Sequence, residues 1–277
     1  MPELPEVETV RRGLAATVVG RRLGPVVVTG ARTVRRTSAD AVVAGLCGRT
    51  IVSAQRRGKY LLLPLDSGQL LLVHLRMSGQ LLLAPRDSPR PKHTHVAVGL
   101  DQDQELRFVD PRTFGEVVVV DPARLPEEAP GVALLGPDAW DDLGSSRALA
   151  GVLSARSRAL KPLLTDQRAV AGLGNIYSDE VLHQAGLSPW RVSSNVTPDE
   201  TRRLHRSLRT ILRQAIAGRG SSLGDNQYVD LSGDGGSFQE RHRVYGREGK
   251  PCTSCGRPVE RVKWSGRSTF WCPTCQA

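Results

Sequence analysis

Residue 2 of this chain is a proline, followed by Glu3, Leu4, Pro5, Glu6, Val7 and Glu8. Removal of Met1 would leave Pro2 with a free secondary amine. An α-amino group titrates near ~7.7–8.0, against ~10.4 for a lysine side chain, so a useful fraction is unprotonated at neutral pH. Such an amine can attack a carbon electrophile and form an iminium, with Glu3 and Glu6 as neighbouring carboxylates. A helix begins at once, because Pro5 suits a first turn and Leu4, Val7, Val10 and Leu14 recur at helical spacing. Glutamates also suit a helix N-terminus on electrostatic grounds alone. Taken locally, that plainer reading is the stronger one.

The second constellation is Cys252-x2-Cys255, sixteen intervening residues and Cys272-x2-Cys275. Two close cysteine pairs at this spacing predict one structural Zn²⁺ in a closed four-thiolate shell. Between the pairs, Val259, Val262 and Thr269 to Trp271 are strand-like around Trp264-Ser265-Gly266-Arg267, which predicts a hairpin with Arg267 near its tip. From 241 to 277, eight Lys/Arg face two Glu, leaving +6 of the chain's total of +10. A basic zinc unit is expected to track phosphates. The fifth cysteine, Cys47, reads as a small buried hydrophobe.

Other candidates are weaker singly. Lys59 enters a strand after Arg56-Arg57-Gly58. His74-Leu75-Arg76-Met77-Ser78-Gly79 puts one of only two methionines in a turn, and Asp110 to Gly115 puts Arg112 and Phe114 in another. Apolar side chains on such loops are what DNA-bending proteins wedge between base steps. Lys92-His93-Thr94-His95 is a poor metal pattern. Gly172-Leu173-Gly174-Asn175 opens a helix whose amides can hold phosphate.

The elements that must position these residues fall into three regions. After a helix ending near Gly20, short apolar runs at 23–28, 50–55, 60–65, 70–75, 96–100, 106–109 and 116–120 predict an antiparallel sandwich or barrel. Residues 121–142 read as a linker. Helical periodicity then covers 145–155, 160–166, 175–185 and 198–217, the last with an arginine face opposite Leu204, Leu208, Ile211, Leu212 and Ala215. A loop rich in Gly and Ser, 218–238, precedes the cysteine tail. The acidic, amphipathic start and the absence of an ~18-residue apolar run predict an intracellular chain with no membrane segment.

Together these stretches resemble the bacterial formamidopyrimidine-DNA glycosylases, in content and in order from Pro2 to the cysteine tail. The resemblance extends to Val244-Tyr245-Gly246-Arg247. It implies an α+β multidomain chain: an N-terminal β-sandwich with its leading helix (1–135), a helix-two-turns-helix domain (145–238, with the lesion loop 218–238) and a zinc finger (239–277). By resemblance, Pro2 is the nucleophile at C1′ and Glu3 the general acid at the sugar ring oxygen, while Glu6 supports them or positions water. Lys59 and Arg267 assist elimination. His74 and Asn175 hold phosphates; Met77, Arg112 and Phe114 fill the gap left by the flipped nucleotide, Arg112 facing the orphaned cytosine. His93 and Arg156 fall at further DNA contacts.

The resemblance therefore implies excision of oxidised purines, 8-oxoguanine and formamidopyrimidines, with β- and δ-elimination at the abasic site. The expected partner is damaged double-stranded DNA bound by a monomer in the bacterial cytoplasm, with no small-molecule cofactor. The alternatives are a pyrimidine-specific enzyme of the related endonuclease VIII branch and a non-enzymatic zinc-ribbon DNA-binding protein. Arg76, where His-Leu-Gly-Met is more usual, departs from the pattern and adds charge beside the wedge.

Overall fold

The computed structural model describes residues 1–101, 103–224, 228–264 and 266–277. The chain divides into two compact units, Met1–Leu134 with Gly218–Ser237, and Leu135–Ala217 with Phe238–Ala277.

The first unit opens with α1 (Leu4–Thr17), followed by β1 (Leu23–Val28), α2 (Ala39–Leu46), β2 (Gln55–Arg57), β3 (Tyr60–Pro64), β4 (Leu70–His74), β5 (Gln80–Pro85), β6 (Thr94–Leu100), β7 (Gln104–Val109) and β8 (Glu116–Val120). The strands make two antiparallel four-stranded sheets, ordered β1-β6-β7-β5 and β2-β3-β4-β8. Alternation along a strand sends every second residue inward. Leu61, Leu63, Leu71, Val73 and Val117 from one sheet meet Leu81, Val96, Val98, Leu106 and Phe108 from the other in one core, with Val7, Val10 and Leu14 of α1. The expected sandwich and leading helix are thus present.

Five local features differ from expectation. Residues 39–46 form a helix capped by Ser38, whose Oγ accepts from the Ala41 amide, and β5 occupies a run that the alternation did not single out. Thr50 and Ile51 make only isolated bridges, so the pairing strand starts at Gln55. The 121–142 stretch includes two one-turn helices, α3 (Leu125–Glu128) and α4 (Pro130–Ala133). Cys47 is exposed, because it lies just past the end of α2 rather than on its buried face.

The segment 218–237 belongs to the first unit rather than to the helices that precede it. Tyr228 and Leu231 join the sandwich core, and the Leu83 amide donates to the Leu231 carbonyl at 2.8 Å. Asp225, Asn226 and Gln227 of the expected lesion loop lie outside the described residues, as does Ser265 of the expected hairpin turn.

The second unit holds α5 (Ser146–Ser154), α6 (Leu160–Thr165), α7 (Asn175–Ala185), α8 (Pro198–Ala217), β9 (Glu260–Trp264) and β10 (Arg267–Trp271). Leu204, Leu208, Ile211, Leu212 and Ala215 of α8 are buried as the periodicity predicts, while Arg202, Arg203, Arg206 and Arg213 are exposed. The cysteine tail is not a compact body of its own. Two fully buried carboxylates of α7 tie it to the helices: Glu180 accepts from the amides of Arg243, Val244 and Tyr245 at 2.9–3.0 Å, and Asp179 accepts from the Phe270 amide at 3.0 Å and from Lys161 Nζ at 2.5 Å. Removing such an acceptor from a dry interface would strand several donors at once.

Candidate active site and nucleic-acid interface

Pro2 and Glu3 are buried at the start of α1, while Met1 is 44% exposed. Glu3 is the N-cap, and its amide donates to Glu6 Oε2 at 2.8 Å, which fixes the first turn. The other oxygen, Glu6 Oε1, accepts from the Ser221 amide at 2.7 Å. Glu6 therefore braces the start of α1 against the 218–237 segment. Tyr228 adds a second tie, its hydroxyl donating to the Glu6 carbonyl at 3.4 Å as well as to the Arg219 carbonyl at 3.0 Å.

Lys59 lies in the turn between β2 and β3 and is 5% exposed. That turn is held to α1 through Glu8. The Glu8 carboxylate binds Arg11 and Arg12 at 2.8–2.9 Å and Arg56 at 3.4 Å, and Arg56 donates to the Gly58 carbonyl at 3.0 Å. Burial pulls the Glu8 carboxyl up, but the three guanidinium groups hold it below the usual range. It stays ionised and keeps the turn in register with the N-terminus.

His74 ends β4 with its ring edge-on to Tyr60, centroids 4.2 Å apart. Its Nδ1 accepts from the Arg76 amide at 2.9 Å. Burial, with the nearby charges of Arg76 and Lys59, pushes the imidazole well below its ordinary value. The ring is thus neutral with its proton on Nε2, a ready donor to an anionic oxygen. Arg76 has φ +53° and turns back to Glu116 Oε1 at 3.1 Å. Glu116 also binds Arg35 and Arg36. The unusual arginine is tethered to a buried carboxylate.

Two loops are brought together by one buried residue. Asp110 accepts from Ser78 Oγ at 2.5 Å, from the Arg112 amide at 3.2 Å and from the Gly115 amide at 2.7 Å. The Met77 loop and the Arg112–Phe114 loop therefore share an anchor. Phe114 is 42% exposed, Met77 is half-buried, and the Arg112 guanidinium lies 4.9 Å from the Phe114 ring centroid. Thr113 between them takes φ +56°. His93, also at positive φ, is exposed, and its carbonyl accepts from the Asp110 amide at 3.0 Å.

In the second unit, Asn175 is the first residue of α7, after Gly174 as N-cap. Its buried Oδ1 has no hydrogen-bond partner among the described residues. The loop before it is shaped by Gln167, which accepts from the Gly172 amide at 2.9 Å and donates to the carbonyls of Thr165 and Leu173 at 3.1 and 2.7 Å. Nothing in the local sequence marks Gln167 for that role, since its partners lie on both sides of a turn. Arg267 is exposed at the start of β10, and Arg156 is exposed and paired with Asp166 at 3.2 Å.

The four cysteine Sγ atoms all lie within 4.8 Å of one another, with Cys252–Cys275 at 3.8 Å and Cys255–Cys272 at 3.4 Å. A tetrahedral zinc with Zn–S bonds of ~2.3 Å needs Sγ separations of about 3.8 Å, so the cage fits the ion. Burial alone would raise the Cys252 thiol, but the amides of Ser254 and Cys255 and the His183 ring hold it down to about 6. His183 Nε2 stands 3.2 Å from that sulfur. Four thiolates leave no position for water, so the zinc is structural. Among the described residues no other His, Cys, Asp or Glu group has this geometry.

Residues 1–117 match the formamidopyrimidine-DNA glycosylase N-terminal domain, residues 135–226 the H2TH domain of the same proteins, and residues 249–277 the zinc finger found in FPG and IleRS. The chain is 41% identical over 276 residues to the formamidopyrimidine-DNA glycosylase of Pelotomaculum thermopropionicum, covering 100% of this chain and 99% of that one. It is similar in fold to the crystal structure of the MutM (Fpg) protein from Thermus thermophilus, with TM-score 0.88, 44% identity and 99% and 98% of the two chains covered. The Lactococcus lactis Fpg in complex with abasic-site DNA gives TM-score 0.89 at 35% identity, covering 99% of each chain. The order of sandwich, helical and zinc modules, together with full-length identity above 40%, means that this chain belongs to the formamidopyrimidine-DNA glycosylase family.

Proposed function

We propose that this protein excises oxidised purines, 8-oxoguanine opposite cytosine and formamidopyrimidines, from duplex DNA and then cleaves the abasic strand. The observation that carries the reading is the start of α1: Pro2 followed by Glu3, with the Glu3 amide and the 218–237 segment both locked onto Glu6. A terminal imino group held in a buried, ordered turn is oriented for attack before substrate arrives.

Once Met1 is removed, the Pro2 nitrogen bonds to C1′ and the glycosidic bond breaks, its electron pair leaving with the damaged base. Glu3 protonates the ring oxygen as the sugar opens, which leaves an iminium between Pro2 and C1′. The iminium acidifies C2′–H, so loss of that proton expels the 3′ phosphate; a second elimination expels the 5′ phosphate. Lys59 and Arg267 assist these departures by proton donation and charge neutralisation. Neutral His74 offers Nε2–H to a phosphate, and Asn175 offers its side chain at a helix N-terminus. Met77, Arg112 and Phe114 occupy the gap in the stack, offsetting part of the few kcal/mol that flipping a base costs. The protein acts as a monomer on bacterial nucleoid DNA.

Borohydride reduction of the iminium tests this. Processed wild type should form a covalent adduct with an 8-oxoguanine duplex, and Pro2→Gly should not. Equal trapping by the variant, or a clear preference for dihydrothymine over 8-oxoguanine, overturns the assignment.

A further inference from the structure

The second unit has a cleft of about 440 Å³ lined by Arg158, Lys161, Asp166, Gln167, Trp264 and Arg267, among others. It is a cationic surface apart from one carboxylate. Lys161 is committed to the buried Asp179, which leaves Asp166 facing the arginines. Its Oδ2 accepts from Arg158 at 2.7 Å and from Arg156 at 3.2 Å, while Oδ1 accepts from the Arg168 amide at 3.0 Å. One oxygen atom thus receives two guanidinium groups, the arrangement a phosphate oxygen would offer. The Asp166 side chain is 25% exposed, and the two arginines are 41–45% exposed. All three can be reached by a ligand.

We propose that Asp166 is a specificity-determining residue that acts as an internal stand-in for a DNA phosphate. It neutralises Arg156 and Arg158 in the free protein, so that undamaged duplex, which engages the cleft weakly, gains little from them. A phosphate seated firmly at a lesion exchanges with the carboxylate and recruits both arginines. Discrimination comes from weakening the wrong complex as much as from strengthening the right one. This inference rests on the reading that Arg156 meets DNA.

The test is fluorescence anisotropy of the zinc-loaded full chain with undamaged and 8-oxoguanine duplexes over a range of NaCl concentrations. Asp166→Asn keeps an acceptor for the Arg168 amide and removes the charge. Each exposed pair is worth at most about a kcal/mol, so undamaged duplex should bind about threefold to tenfold more tightly. Two freed cations should also steepen the dependence of log K on log salt by about 1–2. The lesion-to-undamaged affinity ratio should fall. In Asp166→Asn/Arg156→Gln/Arg158→Gln the gain should vanish. Asp166→Ser, which also accepts from the Arg168 amide, serves if the first variant does not fold. Unchanged or weaker binding by Asp166→Asn, or a gain that persists in the triple variant, overturns the proposal. Borohydride trapping by wild type on the same lesion duplex reports separately on the enzymatic reading, so a trapping wild type with a flat Asp166→Asn response sinks the stand-in alone.

Discussion

Glu6 Oε1 accepts a 2.7 Å hydrogen bond from the Ser221 amide, 215 positions later in the chain. The same carboxylate caps the turn that carries Pro2 and Glu3. Gly220 permits the approach: at φ +80°, an added Cβ would lie 2.6 Å from Glu6 Oε1. Gly220→Ala should therefore cost about 1–3 kcal/mol, from strained backbone and a displaced carboxylate. Urea unfolding measures this. A variant as stable as wild type would show that the two segments are not coupled through Glu6.

The chemistry assigned to Pro2 requires its nitrogen to be an amine. A retained Met1, or any N-terminal extension, converts that nitrogen to an amide with no available lone pair. Such a protein should lose borohydride trapping entirely and keep duplex binding within about threefold, since the phosphate contacts supply most of the affinity. Comparing trapping and anisotropy on processed and unprocessed protein checks both halves.

His74 gives a pH dependence with a definite sign. Its folded pKa lies well below 6.5, the unfolded value, because burial and the charges of Arg76 and Lys59 disfavour the imidazolium. The unfolded chain binds the proton more readily, so the stability from neutral His74 is present above about pH 6.5 and is lost as pH falls toward the depressed folded value. Chemical unfolding at pH 7.5 and 5.0 should show a fall that is smaller in His74→Asn. An identical fall in both proteins would exclude His74 as its source.

Asp110 anchors the Met77 and Phe114 loops through three hydrogen bonds. Asp110→Ala leaves buried donors unpaired, at about 1–3 kcal/mol. It should also lower affinity for a lesion duplex more than for an undamaged one, because the loops proposed to fill the flipped-base gap lose their common anchor. Equal loss on both duplexes would reduce Asp110 to a purely structural role.

Zinc removal should act through position rather than chemistry. In Cys272→Ser the four-thiolate shell is broken, and β9 and β10, which present Arg267, lose their support. Bound zinc and DNA affinity should fall together, by at least about tenfold in affinity. Metal content by atomic absorption and anisotropy on the same sample test the link; a zinc-free variant with wild-type affinity would break it.

The chain's own pattern was enough to determine the modules. Period-2 apolar runs, a clear helical stripe on α8, and paired cysteines at metal spacing are short-range signals, and each is written over a few consecutive residues. The four cysteines were legible for the same reason, as a spacing with few alternative uses, whereas Pro2 and Glu3 read locally as an ordinary helix start and stood out only through the resemblance. Tertiary structure decided what holds them. Glu6 with Ser221, Asp110 with Ser78, Glu180 with 243–245 and Asp166 with Arg156 and Arg158 are acceptors whose donors come from other loops, and no periodicity records such a pairing. The 218–237 segment follows the same rule: its Gly and Ser content marks a loop, but only the burial of Tyr228 and Leu231 assigns it to the sandwich. A carboxylate's meaning depends on which amides or cations close around it, and that is set by folding.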